Sequence, residues 1–337
     1  MAEILKLCFF LMGLIRLNYQ FIREAKTAEK KMSEAGRKNP NYNSVTMKVY
    51  RKFKHKVALK NSLAKETLSE FFATCLLIIL GCGCVATSVL SNRSSDAYLT
   101  NNLGFAMAVT IAVYVAGGVS GGHINPAVSF AMCLTGRLKW AKFPFYVSAQ
   151  FLGAMAGSAA IFGIYYDALY NYTGGILTVD GPNATAYIFA TYPQPYLSIL
   201  GGFADQVMST ALLLIGVFAI FDNKNLGTPK GLEPIAVGLL ILLLGLSLGM
   251  NSGCAMNPAR DLGPRIFTAM AGWGMDVFTY GNNWWWVPVV GPMVGAAIGA
   301  FIYVLCIEAH CSDYIIEDAH NSLEVDHYEK QEFTNMA

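Results

Sequence analysis

The chain has 337 residues, 54% hydrophobic and 14% charged, well below the roughly 25% charge of a soluble domain. Mean hydropathy is +0.42, so lipid rather than water is the main solvent. A net charge of +2 argues against a nucleic-acid partner, and no cofactor or metal is expected.

Charge distribution orients the chain. Arg37, Lys38, Lys48, Arg51, Lys52, Lys54, Lys56, Lys60 and Lys65 crowd an N-terminal arm, residues 1–65. Clusters of basic residues return at Arg137, Lys139 and Lys142, then at Lys224 and Lys230, with none from Phe143 to Asn223. The positive-inside rule places these basic segments in the cytosol and the 166–198 connection outside. The apolar stretch Ile4–Ile15 is too short to span and lacks the basic start and cleavage site of a signal peptide. It reads as a surface-lying segment or as an extension upstream of Met32.

Spans are expected at 67–90, 100–119, 143–165, 200–221, 232–250 and 286–307. Two apolar stretches, 125–136 and 257–270, are too short to cross and read as half-helices entering from opposite faces. Glu70–Thr74 followed by Leu76–Gly81 aligns with Gln206–Thr210 followed by Leu212–Gly216. Three spans separate the copies, so the halves, 66–165 and 200–308, are inverted repeats with a site near midplane. The expected fold is an all-α membrane protein: six transmembrane helices plus two re-entrant half-helices. The acidic residues 311–337 are expected to form a cytosolic tail after a membrane domain at 66–310.

Each half-helix opens on the same tripeptide, Asn125-Pro126-Ala127 and Asn257-Pro258-Ala259. Asn favours the N-cap and Pro the first helical position, so both are helix starts. Amide donors and positive dipole ends inside a bilayer suit a pore. Three sequons, at Asn92, Asn171 and Asn183, fall on the outward connections. Those connections hold no cysteine. Of the eight cysteines, Cys75, Cys82, Cys84, Cys133 and Cys306 lie in apolar runs and read as small hydrophobes. Trp284–Trp286 reads as an interfacial belt. Gly153, Gly157, Gly291 and Gly295 read as close helix contacts.

Ser120–Val128 and Gly253–Pro264 resemble the two signature loops of the aquaporins, and Asp261 after Arg260 resembles the aquaglyceroporin branch. The resemblance covers about 60–310. It implies that Asn125 and Asn257 meet at mid-membrane and donate to the permeant, with Phe105, Gly245, Cys254 and Arg260 forming the outer constriction. Small residues at Gly245 and Cys254 imply a wide filter. Phe105 takes CH groups and Arg260 takes hydroxyls. Glu70 and Gln206 brace the half-helix loops, Asp261 holds its loop through Arg260 or Arg265, and His123 is structural. The family is tetrameric with one pore per subunit.

The function expected is passive passage of glycerol, water, urea and other small neutral solutes, arsenous acid included, across the plasma membrane. A coupled secondary transporter is the nearest rival, since inverted repeats also occur there. An adhesion protein finds no module in the short outer loops. No Ser/His/Asp or metal-ligand spacing supports an enzyme.

Overall fold

The computed structural model describes residues 42–91 and 96–311. The expectations for 1–41, for Asn92 and for the acidic tail beyond residue 311 lie outside them. The chain divides into two units between Lys65 and Glu66. In the first, helix α1 (Tyr42–Val57) ends in the basic residues Lys54, His55 and Lys56, placed where the helix dipole is negative. Asn61 Oδ1 accepts the Ala64 N–H at 3.1 Å and starts helix α2 (Ser62–Leu90).

The second unit is helical, with no strand among the described residues. Its first half runs through α2, α3 (Ala97–Ser120), the short α4 (Pro126–Leu134) and α5 (Phe143–Ile164). The second half repeats the order in α7 (Ile199–Phe221), α8 (Glu233–Leu248), the short α9 (Pro258–Thr268) and α11 (Val287–Cys306). Between them lies α6 (Tyr166–Thr173). Before α11 comes α10 (Asp276–Asn283), which loses helical angles at Tyr280–Asn282.

Five helical stretches are long and apolar enough to cross a bilayer: Ser62–Leu90, Ala97–Ser120, Trp140–Ile164, Ile199–Phe221 and Asp276–His310. The sixth, α8, has 16 residues, about 24 Å at 1.5 Å per residue. It is shorter than the 232–250 expected. The Tyr98 hydroxyl of α3 takes the Gly245 and Leu246 carbonyls at 2.8 and 3.4 Å, and the chain turns away after Leu248. Hydropathy cannot see that ending. Leu152, Leu243 and Phe301 are 58%, 63% and 65% exposed, a coat that only lipid solvates well.

Glycines bring the main helix pairs together. A Cβ on Gly153 would strike the Phe71 carbonyl, and one on Gly157 would lie 2.7 Å from the Cys75 carbonyl, so α5 rides on the backbone of α2. Gly295 and Gly299 of α11 meet the Val207 and Ala211 carbonyls of α7 in the same way. The repeat legible in sequence is therefore a repeat of helix packing, in which small residues let backbones approach.

One expectation needs correction. The tryptophan triplet is not a uniform interfacial belt. Trp284 is fully buried against Gly202, where any side chain would collide with its ring, and only Trp285 is exposed. The 166–198 connection is partly buried. Ala186, Ile188, Phe189 and Ala190 are buried, and the first three join Phe267, Trp273 and Val277 in one core cluster. That places the Phe189 carbonyl beside the second half-helix.

Candidate pore and selectivity site

The half-helices meet by their N-termini. Asn125 Oδ1 accepts the Ala127 N–H at 2.8 Å, and Asn257 Oδ1 accepts those of Ala259 and Arg260 at 3.0 and 3.1 Å. Each carboxamide nitrogen then crosses to the other loop. Asn125 Nδ2 donates to the Met256 carbonyl at 2.9 Å, and Asn257 Nδ2 donates to the Ile124 carbonyl at 2.8 Å. A carboxamide has two N–H groups. Among the described residues, nothing takes the second on either side.

The exchange depends on backbone that side chains normally avoid. Ile124 and Met256, the residues before each Asn, have φ of 46° and 49°, in the left-handed region. For a β-branched residue such as Ile124 that is an outlier, sustained only when the surroundings over-determine it. The braces supply this. Glu70 Oε1 accepts from Ser120 Oγ at 2.5 Å and His123 N at 2.9 Å, while Oε2 accepts from Ile124 N at 2.7 Å and Gln150 Nε2 at 2.8 Å. In the second half, Gln206 Oε1 accepts from Met256 N at 3.1 Å, and its Nε2 donates to Ser252 Oγ at 2.9 Å. Ser252 Oγ in turn donates to Asp205 Oδ2 at 3.1 Å. The same strained position is held by a carboxylate in one repeat and by an amide in the other, because only the second brace faces a hydroxyl that accepts.

A cavity of about 370 Å³ runs past this junction. Phe105, Gly245, Cys254 and Arg260 line it, as do Asn125, Asn257 and His123. Val109, Val113, Val128, Leu213, Val217 and Ile241 give it apolar stretches of wall. Arg260 is 8% exposed. Its Nη1 donates to the Phe189 carbonyl at 2.6 Å, and its guanidinium carbon lies 4.4 Å from the centre of the Phe105 ring. Phe105 is in turn pressed onto Gly81, where a Cβ would collide with the ring. Charge and aromatic plate are thus fixed against each other. At the other end Arg137 lines the cavity, 2.8 Å from Glu308 and over the Phe218 ring at 4.3 Å.

Asp261 pairs with Arg265, not Arg260. Arg265 is fully buried; its Nε and Nη2 meet Asp261 Oδ1 at 2.9 Å. Its Nη1 donates to the Val277 carbonyl at 2.6 Å and its Nη2 to the Thr191 carbonyl at 2.5 Å. Asp261 Oδ2 accepts Thr191 N and Oγ1 at 2.7 and 2.5 Å. The ion pair rivets the 166–198 connection to α9 two residues from the Phe189 carbonyl. Tyr192 covers the Arg265 guanidinium at 4.4 Å, and burial pushes its hydroxyl well above its ordinary pKa.

His123 Nδ1 lies 3.1 Å from Ser129 Oγ, and its ring packs 5.1 Å from that of Tyr146. The sequons are less open than their asparagines. Asn171 and Asn183 are exposed. Thr173, however, is buried and donates to the Leu169 carbonyl at 2.8 Å, and Thr185 is buried against Trp273 Nε1 at 3.2 Å. All described cysteines are free thiols: Cys75, Cys82, Cys84, Cys133, Cys254, Cys306 and Cys311.

Sequence reasoning missed Asn102, Gln150, Ser252 and the Phe189 carbonyl. Gln150 was findable: a fully buried glutamine inside an apolar span marks a functional or bracing position. The carbonyl was not findable, since backbone has no residue signature.

Opposed half-helices, reciprocal asparagine bonds and a lined cavity define a multi-pass membrane channel. The chain belongs to the major intrinsic protein family, whose model matches residues 57–303, and to its aquaglyceroporin branch. It is 67% identical over 258 residues to aquaporin-9 of Homo sapiens, covering 77% of this chain and 88% of that one. Aquaporin-10 of Homo sapiens is 54% identical over 252 residues, covering 75% of this chain and 84% of that one. Among solved structures, the aquaglyceroporin from Plasmodium falciparum matches with a TM-score of 0.66 and 32% identity, over 72% of this chain and 95% of that one.

Proposed function

We propose that the chain is a passive channel for glycerol, water, urea and other small uncharged solutes, arsenous acid among them, that excludes ions and protons. The observation that carries this reading is the pair of asparagine carboxamides set in one cavity with Arg260 on Phe105. A permeant hydroxyl offers lone pairs to Arg260 and then to the spare N–H groups of Asn125 and Asn257, while its CH groups slide on Phe105 and the valines. Two helix N-termini and a guanidinium raise the potential along that path, so a cation or an excess proton meets a barrier that a neutral molecule does not.

In this reading residues 66–310 are the channel domain, 1–65 and 311–337 are cytosolic arms, and the assembly is a homotetramer in the plasma membrane. Glu70, Gln206, His123 and Asp261 support the loops. Asn92, Asn171 and Asn183 are candidate glycan acceptors.

Uptake of labelled glycerol into proteoliposomes under imposed sodium and pH gradients tests passivity. The expected rate follows the glycerol gradient alone. Uptake driven uphill by either ion gradient would instead establish a coupled transporter. Cys254 is a free thiol on the cavity wall, so mercurials are expected to block flux and Cys254→Ser to retain most of it. Equal sensitivity of the variant would remove Cys254 from the filter.

A further inference from the structure

The sequence reads Gly245 as empty space that widens the filter. In the structure that space is filled. A Cβ on Gly245 would collide with Asn102 Oδ1, and Asn102 lines the cavity beside Phe105, Gly245 and Arg260. The carboxamide is held by its other end. Asn102 Nδ2 donates to the Tyr98 carbonyl at 2.8 Å, which fixes which terminal atom is nitrogen and leaves the oxygen at the Gly245 wall. Tyr98 also closes the assembly from below, with its hydroxyl on the Gly245 carbonyl at 2.8 Å. Among the described residues Asn102 Oδ1 accepts no hydrogen bond.

We propose that Asn102 is a specificity-determining residue of the outer constriction, a fixed acceptor for the O–H or N–H of a polyol or urea whose lone pairs are held by Arg260. The inference rests on the channel reading above and names the chemistry it selects. Arg260 is a donor only and has nothing to offer the permeant's proton. A hydroxyl or amide that leaves water in a narrow slit loses a hydrogen bond for every group left unmatched. With a donor at Arg260, an acceptor at Asn102 and an apolar plate at Phe105, the slit can match all three surfaces of a short polyol. Water is smaller and crosses with partners from the neighbouring waters, so it depends less on the acceptor. Gly245 then serves to admit the amide, not to leave a void.

The test compares glycerol, urea and water permeability of Asn102→Leu and Asn102→Ser with wild type in proteoliposomes. Leucine keeps the branched shape and removes the acceptor. Serine is able to bond the Tyr98 carbonyl through its O–H and keep lone pairs for the cavity. The expected result for Asn102→Leu is a fall of about fivefold in glycerol and urea flux, the effect of one lost hydrogen bond, with water flux little changed. Asn102→Ser should restore most of the solute-to-water ratio. A merely structural asparagine would lower all three fluxes together. If Asn102→Leu conducts no water, the fold has failed, and Gly245→Ala, which displaces the amide oxygen, is read for the same change of ratio. An unchanged ratio in a conducting variant, with wild type passing glycerol, overturns the role of Asn102. Wild type passing no glycerol overturns the channel reading and this inference together.

Discussion

Asp261→Ala is expected to cost about 3–5 kcal/mol, the penalty for stranding one member of a buried ion pair. Arg265 has 0% side-chain exposure, and two of its nitrogens lie on Asp261 Oδ1. Without the carboxylate, the guanidinium keeps only the Thr191 and Val277 carbonyls. Thr191 loses the acceptor of both its N–H and its hydroxyl. The 166–198 connection is then released from α9, and with it the Phe189 carbonyl that holds Arg260. Thermal unfolding in detergent should show a large drop in midpoint, with a low yield of folded protein. The double variant Asp261→Leu/Arg265→Met removes both charges and should recover part of the loss, because no charge is left unpaired. If Asp261→Ala were as stable as wild type, the ion pair would not be the rivet described.

The second large effect belongs to Glu70. Its two oxygens accept four donors, two of them backbone N–H groups at His123 and at the left-handed Ile124. Glu70→Gln turns one oxygen into an NH₂ group. Whichever side it takes, a backbone N–H then faces a donor, at about 1–3 kcal/mol for the unsatisfied group. Glu70→Ala leaves all four donors without this partner and should cost roughly twice as much. Gln206 is the control within the same chain, since its amide nitrogen meets Ser252 Oγ, which accepts. Permeability per channel, normalised to protein in the vesicle, should fall for Glu70→Gln more than stability alone explains, because Ile124 carries the acceptor for Asn257. A Glu70→Gln channel with wild-type unit permeability and midpoint would count against the brace.

Much of the fold was legible because its signals are local. Asn-Pro-Ala is an N-cap followed by a residue that needs no N–H, and the caps form as that chemistry requires. The glycine pairs on α5 and α11 are a stripe at helical spacing, readable without coordinates. Signals that depend on distant partners were not legible. Trp284 reads as an interface residue by composition, and only Gly202, more than eighty positions away, makes room to bury it. Gly245 stands out in sequence only through the family resemblance and Asn102 not at all, and the collision that ties them joins α3 to α8. Of the two arginines offered for Asp261, helical spacing favours Arg265 at i+4, while the neighbour Arg260 points elsewhere. The end of α8 escaped because hydropathy reports apolar length, not where a tyrosine from another helix takes the last carbonyls.

Stopped-flow light scattering on purified protein in liposomes, with outward and inward glycerol, urea and water gradients, is the direct test of a neutral-solute conduit. Vesicles carrying the protein should equilibrate glycerol and water far faster than empty vesicles, in proportion to the gradient and without proton leak. Glycerol flux no greater than in empty vesicles, or fast solute flux accompanied by proton entry, would contradict a path walled by Phe105 and Arg260 and centred on Asn125 and Asn257.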